Sequence, residues 1–209
     1  MTLVYLLVPV ETEFDERGKI QGRSDAKLAK TAEAPIPSLK HILQTLDLKT
    51  AYISPQERAI YTSELANLTI KAEINNLMDW DFGVFEAQRN FLLPKLPADD
   101  YGDFFKRYGY GGETASEVNQ RLEKAIFAVK KEAQADKLLL ISGQHAIYNF
   151  YLQHTDEAKR NLRKADFEPC SLHAFTVTDD KITYNQSYFC TLAPEQLNAV
   201  PNESEYVQW

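Results

Sequence analysis

Cysteine is nearly absent, with Cys170 and Cys190 the only two in 209 residues. They form no CxxC and no Cys/His ligand spacing, which excludes a disulfide framework and a zinc site, and two unpaired thiols in a reducing cytosol are the expected state. An excess of positive charge is also missing. The 23 Lys and Arg stand against 30 Asp and Glu, for a net charge of -7, so long-range repulsion opposes binding to nucleic acid or an anionic membrane. Long hydrophobic runs are lacking too. The apolar stretch 3–10 is far too short for a bilayer, has no basic segment ahead of it and runs into acidic residues, so it reads as a buried strand. Internal repeats and low-complexity tracts do not occur. These absences leave a cytoplasmic protein whose partner is a small molecule or another protein, with no cofactor or metal indicated and the oligomeric state open.

What is present suits one sizeable core, at 44% hydrophobic residues. Residues 1–190 read as a single domain with a helical, aromatic insertion at about 88–112, and 191–209 as a polar tail. Strand candidates at 3–8, 51–54 and 138–142 are each followed by helical periodicity, which predicts a three-layer α/β/α sandwich around a mostly parallel sheet. Such sheets place ligands at the C-terminal ends of their strands. Ser54-Pro55-Gln56-Glu57 predicts a capping box with proline at the first helical position, which puts Arg58 in a helix first turn. Thr114-Ala115-Ser116-Glu117 is a second capping box, opening a helix with Val118, Leu122, Ile126 and Val129 on one face. The insertion carries Phe91, Tyr101, Phe104, Phe105, Tyr108 and Tyr110, punctuated by Pro94, Pro97, Gly102 and Gly109. It reads as a small helical unit packed on the body, with a lid as the alternative. Residues 171–177 and 181–184 predict a hairpin turning at Asp179-Asp180.

Several short motifs follow one another in a set order: Glu11-Thr12, Gln21-Gly22, Ser54-Pro55 with Arg58-Ala59, Asp81-Phe82-Gly83 with Glu86, Gly111-Gly112-Glu113-Thr114, and the Ile141-Ser142 strand end. Across residues 3–151 this order resembles the histidine phosphatase superfamily, in the branch that holds cofactor-dependent phosphoglycerate mutase and broad-specificity phosphatases. The resemblance implies a phosphoglycerate mutase-like fold. It also implies a histidine nucleophile after the first strand, beside an arginine, because a neutral imidazole must attack phosphorus while guanidinium groups spread the charge of the transferring phosphoryl.

At those places this chain departs from the pattern. Val8, Pro9 and Val10 stand where the family has Arg-His-Gly, and proline offers neither a nucleophile nor a backbone donor. The second family histidine falls on Gly143, and no Arg-His dipeptide occurs elsewhere. His145 reads as a helix-start histidine facing away from the pocket, with pocket contact as the alternative. The family's phosphate-contacting asparagine matches Asp15. The pocket is expected to be acidic there, and at an effective dielectric of 20 like charges ~4 Å apart repel by about 4 kcal/mol, enough to offset the attraction of one arginine for a phosphate. The family's proton-donating glutamate matches Asp79. Arg58 alone of the phosphate-handling set is retained, and a salt bridge from it to Asp15 or Asp79 is the expected arrangement. His41 is expected to face solvent, and His154 and His173 to be structural.

The expected function is therefore a catalytically degenerate pseudophosphatase with a binding or regulatory role. One alternative is a residual or altered phosphatase, hydrolase or mutase-type activity through Arg58 and the acidic residues. Another is a binder of a phosphorylated or carboxylated small molecule. No residue is assigned as catalytic, Val8, Pro9, Asp79 and Gly143 being the degenerate positions. Candidate pocket residues are Arg58, Asp15, Glu11, Gln21, Asp79, Glu113, Gln144 and His145.

Overall fold

The computed structural model describes residues 1–94 and 102–190. The tail at 191–209 and the part of the insertion that includes Pro97 and Tyr101 lie outside the described residues. The elements in chain order are β1 (Thr2–Leu7), α1 (Glu13–Glu16), α2 (Ile36–Thr45), β2 (Thr50–Ile53), α3 (Glu57–Leu65), β3 (Thr69–Glu73), α4 (Phe104–Arg107), α5 (Ala115–Ala133), β4 (Lys137–Ile141), α6 (Gln144–His154), β5 (Leu172–Val177) and β6 (Ile182–Tyr188).

Among the described residues, six strands form one sheet in the order β3-β2-β4-β1-β5-β6. The β1–β4, β2–β4 and β2–β3 pairs are parallel, and the β1–β5 and β5–β6 pairs antiparallel. The three predicted parallel strands each begin one residue earlier than the apolar runs suggest. β3 escaped the sequence pattern because every residue of its Thr-Ile-Lys-Ala-Glu run is exposed, so no apolar alternation marks it.

Side chains alternate across the sheet and build two core layers. Val4, Leu6, Leu138 and Leu140 face α5 and α6, meeting Val118, Leu122, Ile126, Ile147 and Phe150. Tyr5, Leu7, Leu139 and Ile141 face α2 and α3, meeting Leu39, Ile42, Leu43 and Ala59. Thr114 caps α5 through its predicted capping box, its side chain accepting from the Glu117 N–H at 3.2 Å while the Glu117 carboxylate accepts from the Thr114 N–H at 2.9 Å. In the insertion, Phe105 is fully buried, edge-on to Phe82 with ring centroids 5.4 Å apart. Phe91 and Tyr108 remain largely exposed.

His173, on β5, is fully buried between the Ser171 and Ser187 hydroxyls at 2.9 and 2.6 Å, with its ring stacked on Phe167. Desolvation pushes its pKa down to about 3. Because the folded value is depressed, this neutral imidazole contributes stability above the unfolded value of ~6.5 that is lost progressively as pH falls toward 3. Unfolding stability at pH 5 is expected to be about 2 kcal/mol lower from this residue alone. Urea titrations at pH 7.5 and 5 on wild type and His173→Asn check it. An equal pH dependence in both proteins would rule His173 out as the source.

Candidate functional site

Three parallel strands end side by side, and the turns that follow them converge on one cleft. After β1, the Val8 N–H donates to the Ser171 carbonyl and its own carbonyl accepts from the Cys170 N–H, both at 3.0 Å. Pro9 has no N–H to offer, and the Val10 N–H donates to Thr62 Oγ1 at 2.9 Å. All three residues are buried. The floor of the cleft is thus apolar, and its backbone donors are spent inward.

After β2, the structure corrects the capping box predicted at Ser54. α3 starts at Glu57 with Gln56 as its N-cap, and no side chain caps that end. Gln56 instead bridges two segments, its Oε1 accepting from the Asp79 N–H at 2.9 Å and its Nε2 donating to the Gly22 carbonyl at 3.0 Å. A serine is too short to span that gap. Arg58 still lies in the first turn and is 5% exposed. Its Nη2 donates to the Gly22 carbonyl at 2.8 Å and to Asp79 Oδ2 at 3.2 Å. The expected salt bridge forms with Asp79. Asp15 takes no part in it, because its Oδ2 accepts from the Thr12 N–H at 2.8 Å and hydroxyl at 2.9 Å, capping α1.

After β4, Gly143 is the N-cap of α6. Asp79 fills the space beside it. A Cβ added at Gly143 would lie 2.0 Å from Asp79 Cγ and 2.2 Å from Asp79 Cβ, far inside contact distance. Oδ1 of Asp79 accepts from the Trp80 and Ala146 N–H groups at 2.8 and 2.9 Å, so the carboxylate sits at the start of α6. The position that the resemblance assigns to the second histidine is therefore taken up by an aspartate from another segment.

His145 does not face away, as its spacing had suggested. Nδ1 lies 3.7 Å from Asp79 Oδ2, and the ring packs edge-on to Phe82 at 4.7 Å. Burial would raise the Asp79 pKa, but His145, Arg58 and the Ala146 N–H together hold it down at about 2. Desolvation and the neighbouring Lys164 push the His145 pKa below the ordinary imidazole value. Arg58 supplies the permanent counter-charge to Asp79.

Arg121, unremarked in the sequence, fixes this arrangement from behind. Its guanidinium donates to the carbonyls of Asn76, Met78 and Asp79 and to both oxygens of Glu113. Glu113, predicted in the pocket, is drawn off into this cluster, where it also pairs with Arg23 at 2.7 Å. Its helix-flanking position in sequence carried no sign that two arginines would meet it.

The resulting cleft has a volume of about 210 Å³ and is lined by Val8, Pro9, Val10, Glu11, Asp15, Lys19, Gln21, Arg58, Asp79, Asn90, Gln144, His145, Lys164 and Pro169. The pocket is not acidic as expected. Lys19 and Lys164 offset Glu11 and Asp15, while Arg58 offsets Asp79. Both lysines come from segments with no motif of their own, so only the fold reveals them. Among the described residues no group of three or more His, Cys, Asp or Glu is arranged to hold a metal ion, and no helix is long and apolar enough to cross a membrane.

Comparison with known proteins places this geometry. A curated acid phosphatase from Mycobacterium tuberculosis is 24% identical over 138 residues, covering 65% of this chain and 66% of that relative's own length. The phosphoglycerate mutase of Bacillus anthracis superposes with a TM-score of 0.74 at 19% identity, covering 88% of this chain and 91% of that one. Bacillus stearothermophilus YhfR superposes with a TM-score of 0.66 at 18% identity, covering 88% and 95%. Such identities speak for the shared α/β architecture. The model of the histidine phosphatase superfamily (branch 1) matches residues 10–188, starting just past the apolar Val8-Pro9 floor and running through the Arg58, Asp79 and Gly143 positions to the last strand. The chain belongs to the histidine phosphatase superfamily, branch 1.

Proposed function

We propose that this chain is a non-catalytic member of its superfamily, kept for binding a small molecule or for regulation. One observation carries the reading. The Asp79 side chain occupies the space beside Gly143 and is paired with Arg58, so the one retained phosphate-handling arginine is already neutralised from within. The end of β1 supports it, since Val8 and Pro9 offer no nucleophile and no free donor for a phosphoryl oxygen, the Val8 N–H being spent on the Ser171 carbonyl.

Magnitude favours non-catalysis over weak catalysis. Loss of a covalent nucleophile costs on the order of a millionfold in turnover. Asp79, held at about 2, is a fixed anion at neutral pH and cannot deliver a proton to a leaving group, which argues against altered acid–base chemistry there. The phosphatase and mutase activities of the relatives are then ancestry. Full-length protein freed of metals is expected to leave p-nitrophenyl phosphate unhydrolysed above the buffer rate. Saturable hydrolysis that disappears in Arg58→Ala would overturn the reading.

A further inference from the structure

We infer that the cleft takes a zwitterion, an α-amino acid with an apolar side chain, in place of a phosphate ester. The inference rests on the non-catalytic reading above and names the ligand class of the same site. It stands on three features: charges split between two walls, a buried amide with one end unpartnered, and an apolar chamber next door.

The walls come from different parts of the chain. Glu11, Asp15, Lys19 and Gln21 belong to the segment after β1, whereas Gln144, His145 and Lys164 come from α6 and the loop beyond it. With Arg58 and Asp79 paired to each other, the first segment keeps two carboxylates, Glu11 and Asp15, against the one ammonium of Lys19, and the second keeps Lys164. A dianionic phosphate meets the first wall with repulsion. A ligand bearing an ammonium and a carboxylate meets both walls with attraction.

Gln21 sharpens the first wall. It is 6% exposed, and one end of its amide has no partner. The other end lies 2.8 Å from the Thr12 hydroxyl, which also lies 2.9 Å from Asp15 Oδ2. A hydroxyl has one hydrogen, and a carboxylate can only accept it. The amide therefore presents its NH2 to Thr12, and its unpartnered end is the carbonyl oxygen. That oxygen is itself shut off from solvent, so Glu11 and Asp15 are the acceptors that this wall offers an ammonium group.

The chamber sets the side chain. A second cavity of about 130 Å³ is lined by Trp80, Phe82, His145, Tyr148, Asn149, Leu152 and Lys164. It shares His145 and Lys164 with the cleft. A carboxylate held at Lys164 leaves the ligand's apolar group beside Trp80, Phe82 and Leu152, where burial favours it.

Calorimetric titration of the full chain tests this with L-phenylalanine, L-leucine, 3-phenylpropanoate, 2-phenylethylamine and inorganic phosphate. L-Phenylalanine or L-leucine is expected to bind saturably at one site, at least tenfold tighter than either molecule lacking one charge. Lys164→Gln, at an exposed position, and Glu11→Gln are each expected to weaken binding tenfold or more, and Leu152→Trp to fill the chamber and abolish it. The proposal is overturned if neither amino acid binds at millimolar concentration, if 3-phenylpropanoate or phosphate binds as tightly, or if binding survives both charge variants. Hydrolysis of p-nitrophenyl phosphate would sink the non-catalytic reading and leave amino acid binding standing, so the two failures are separable.

Discussion

Gly143→Ala is expected to lower folding stability by about 3–5 kcal/mol, the cost of breaking a buried ion pair by displacing one partner. Alanine in place of glycine at a helix N-cap would ordinarily cost only about 0.5–1 kcal/mol, because glycine is tolerated at that position far better than alanine. Here the added methyl would sit 2.0 Å from Asp79 Cγ, so the aspartate must leave. Its bonds to the Ala146 and Trp80 N–H groups would break, and Arg58 would be left buried without its counter-charge. A double-mutant cycle isolates the cause. Once Asp79→Ala has removed the obstructing side chain, adding Gly143→Ala should cost less than about 1 kcal/mol more. Urea midpoints for the four proteins read the coupling directly, and penalties that simply add would show that the two positions do not compete for space.

The second large effect belongs to Arg121→Ala, again about 3–5 kcal/mol. Its side chain is 11% exposed and holds three main-chain carbonyls together with a carboxylate. Each carbonyl left without a donor in a buried setting costs about 1–3 kcal/mol, although Glu113 keeps Arg23 as a second partner. Arg121→Lys should recover little. A single ammonium cannot reproduce a planar fork that spans Asn76, Met78 and Asp79. An unfolding midpoint for Arg121→Ala indistinguishable from that of wild type would mean that the 76–79 segment holds itself in place.

Local patterns were legible in the sequence and long-range placements were not. The apolar runs located β1, β2 and β4 to within a residue, and Thr114 capped α5 because a capping box involves only neighbours. The vacancy at Val8-Pro9 and the Arg58–Asp79 pairing could be argued from motif order. The Ser54 box failed because a competing long-range use, Gln56 bridging Gly22 and Asp79, moved the helix start by two residues. The direction of His145 stayed open between facing away and pocket contact, because it depends on Asp79, a residue distant in sequence, lying at the start of α6. No motif marks Lys19 or Lys164, and Arg121 lies on a helix legible only by its cap and its apolar face, so the roles of all three arise only where the fold brings distant segments together.

The position of β1 has a further consequence, for how the chain reaches its native state. That strand lies between β4 and β5, pairing Leu3 with Lys137 and Thr2 with Val177. Both of its edges therefore wait for segments made more than a hundred residues later. During synthesis, an apolar strand with two open edges is a template for pairing with other chains, and closing such long loops slows folding. The Val8-Pro9 turn limits that exposure at one end, since proline cannot extend a ladder. Pro9, which has no nucleophile to offer the cleft, thus also shortens the strand's open edge before its partners emerge.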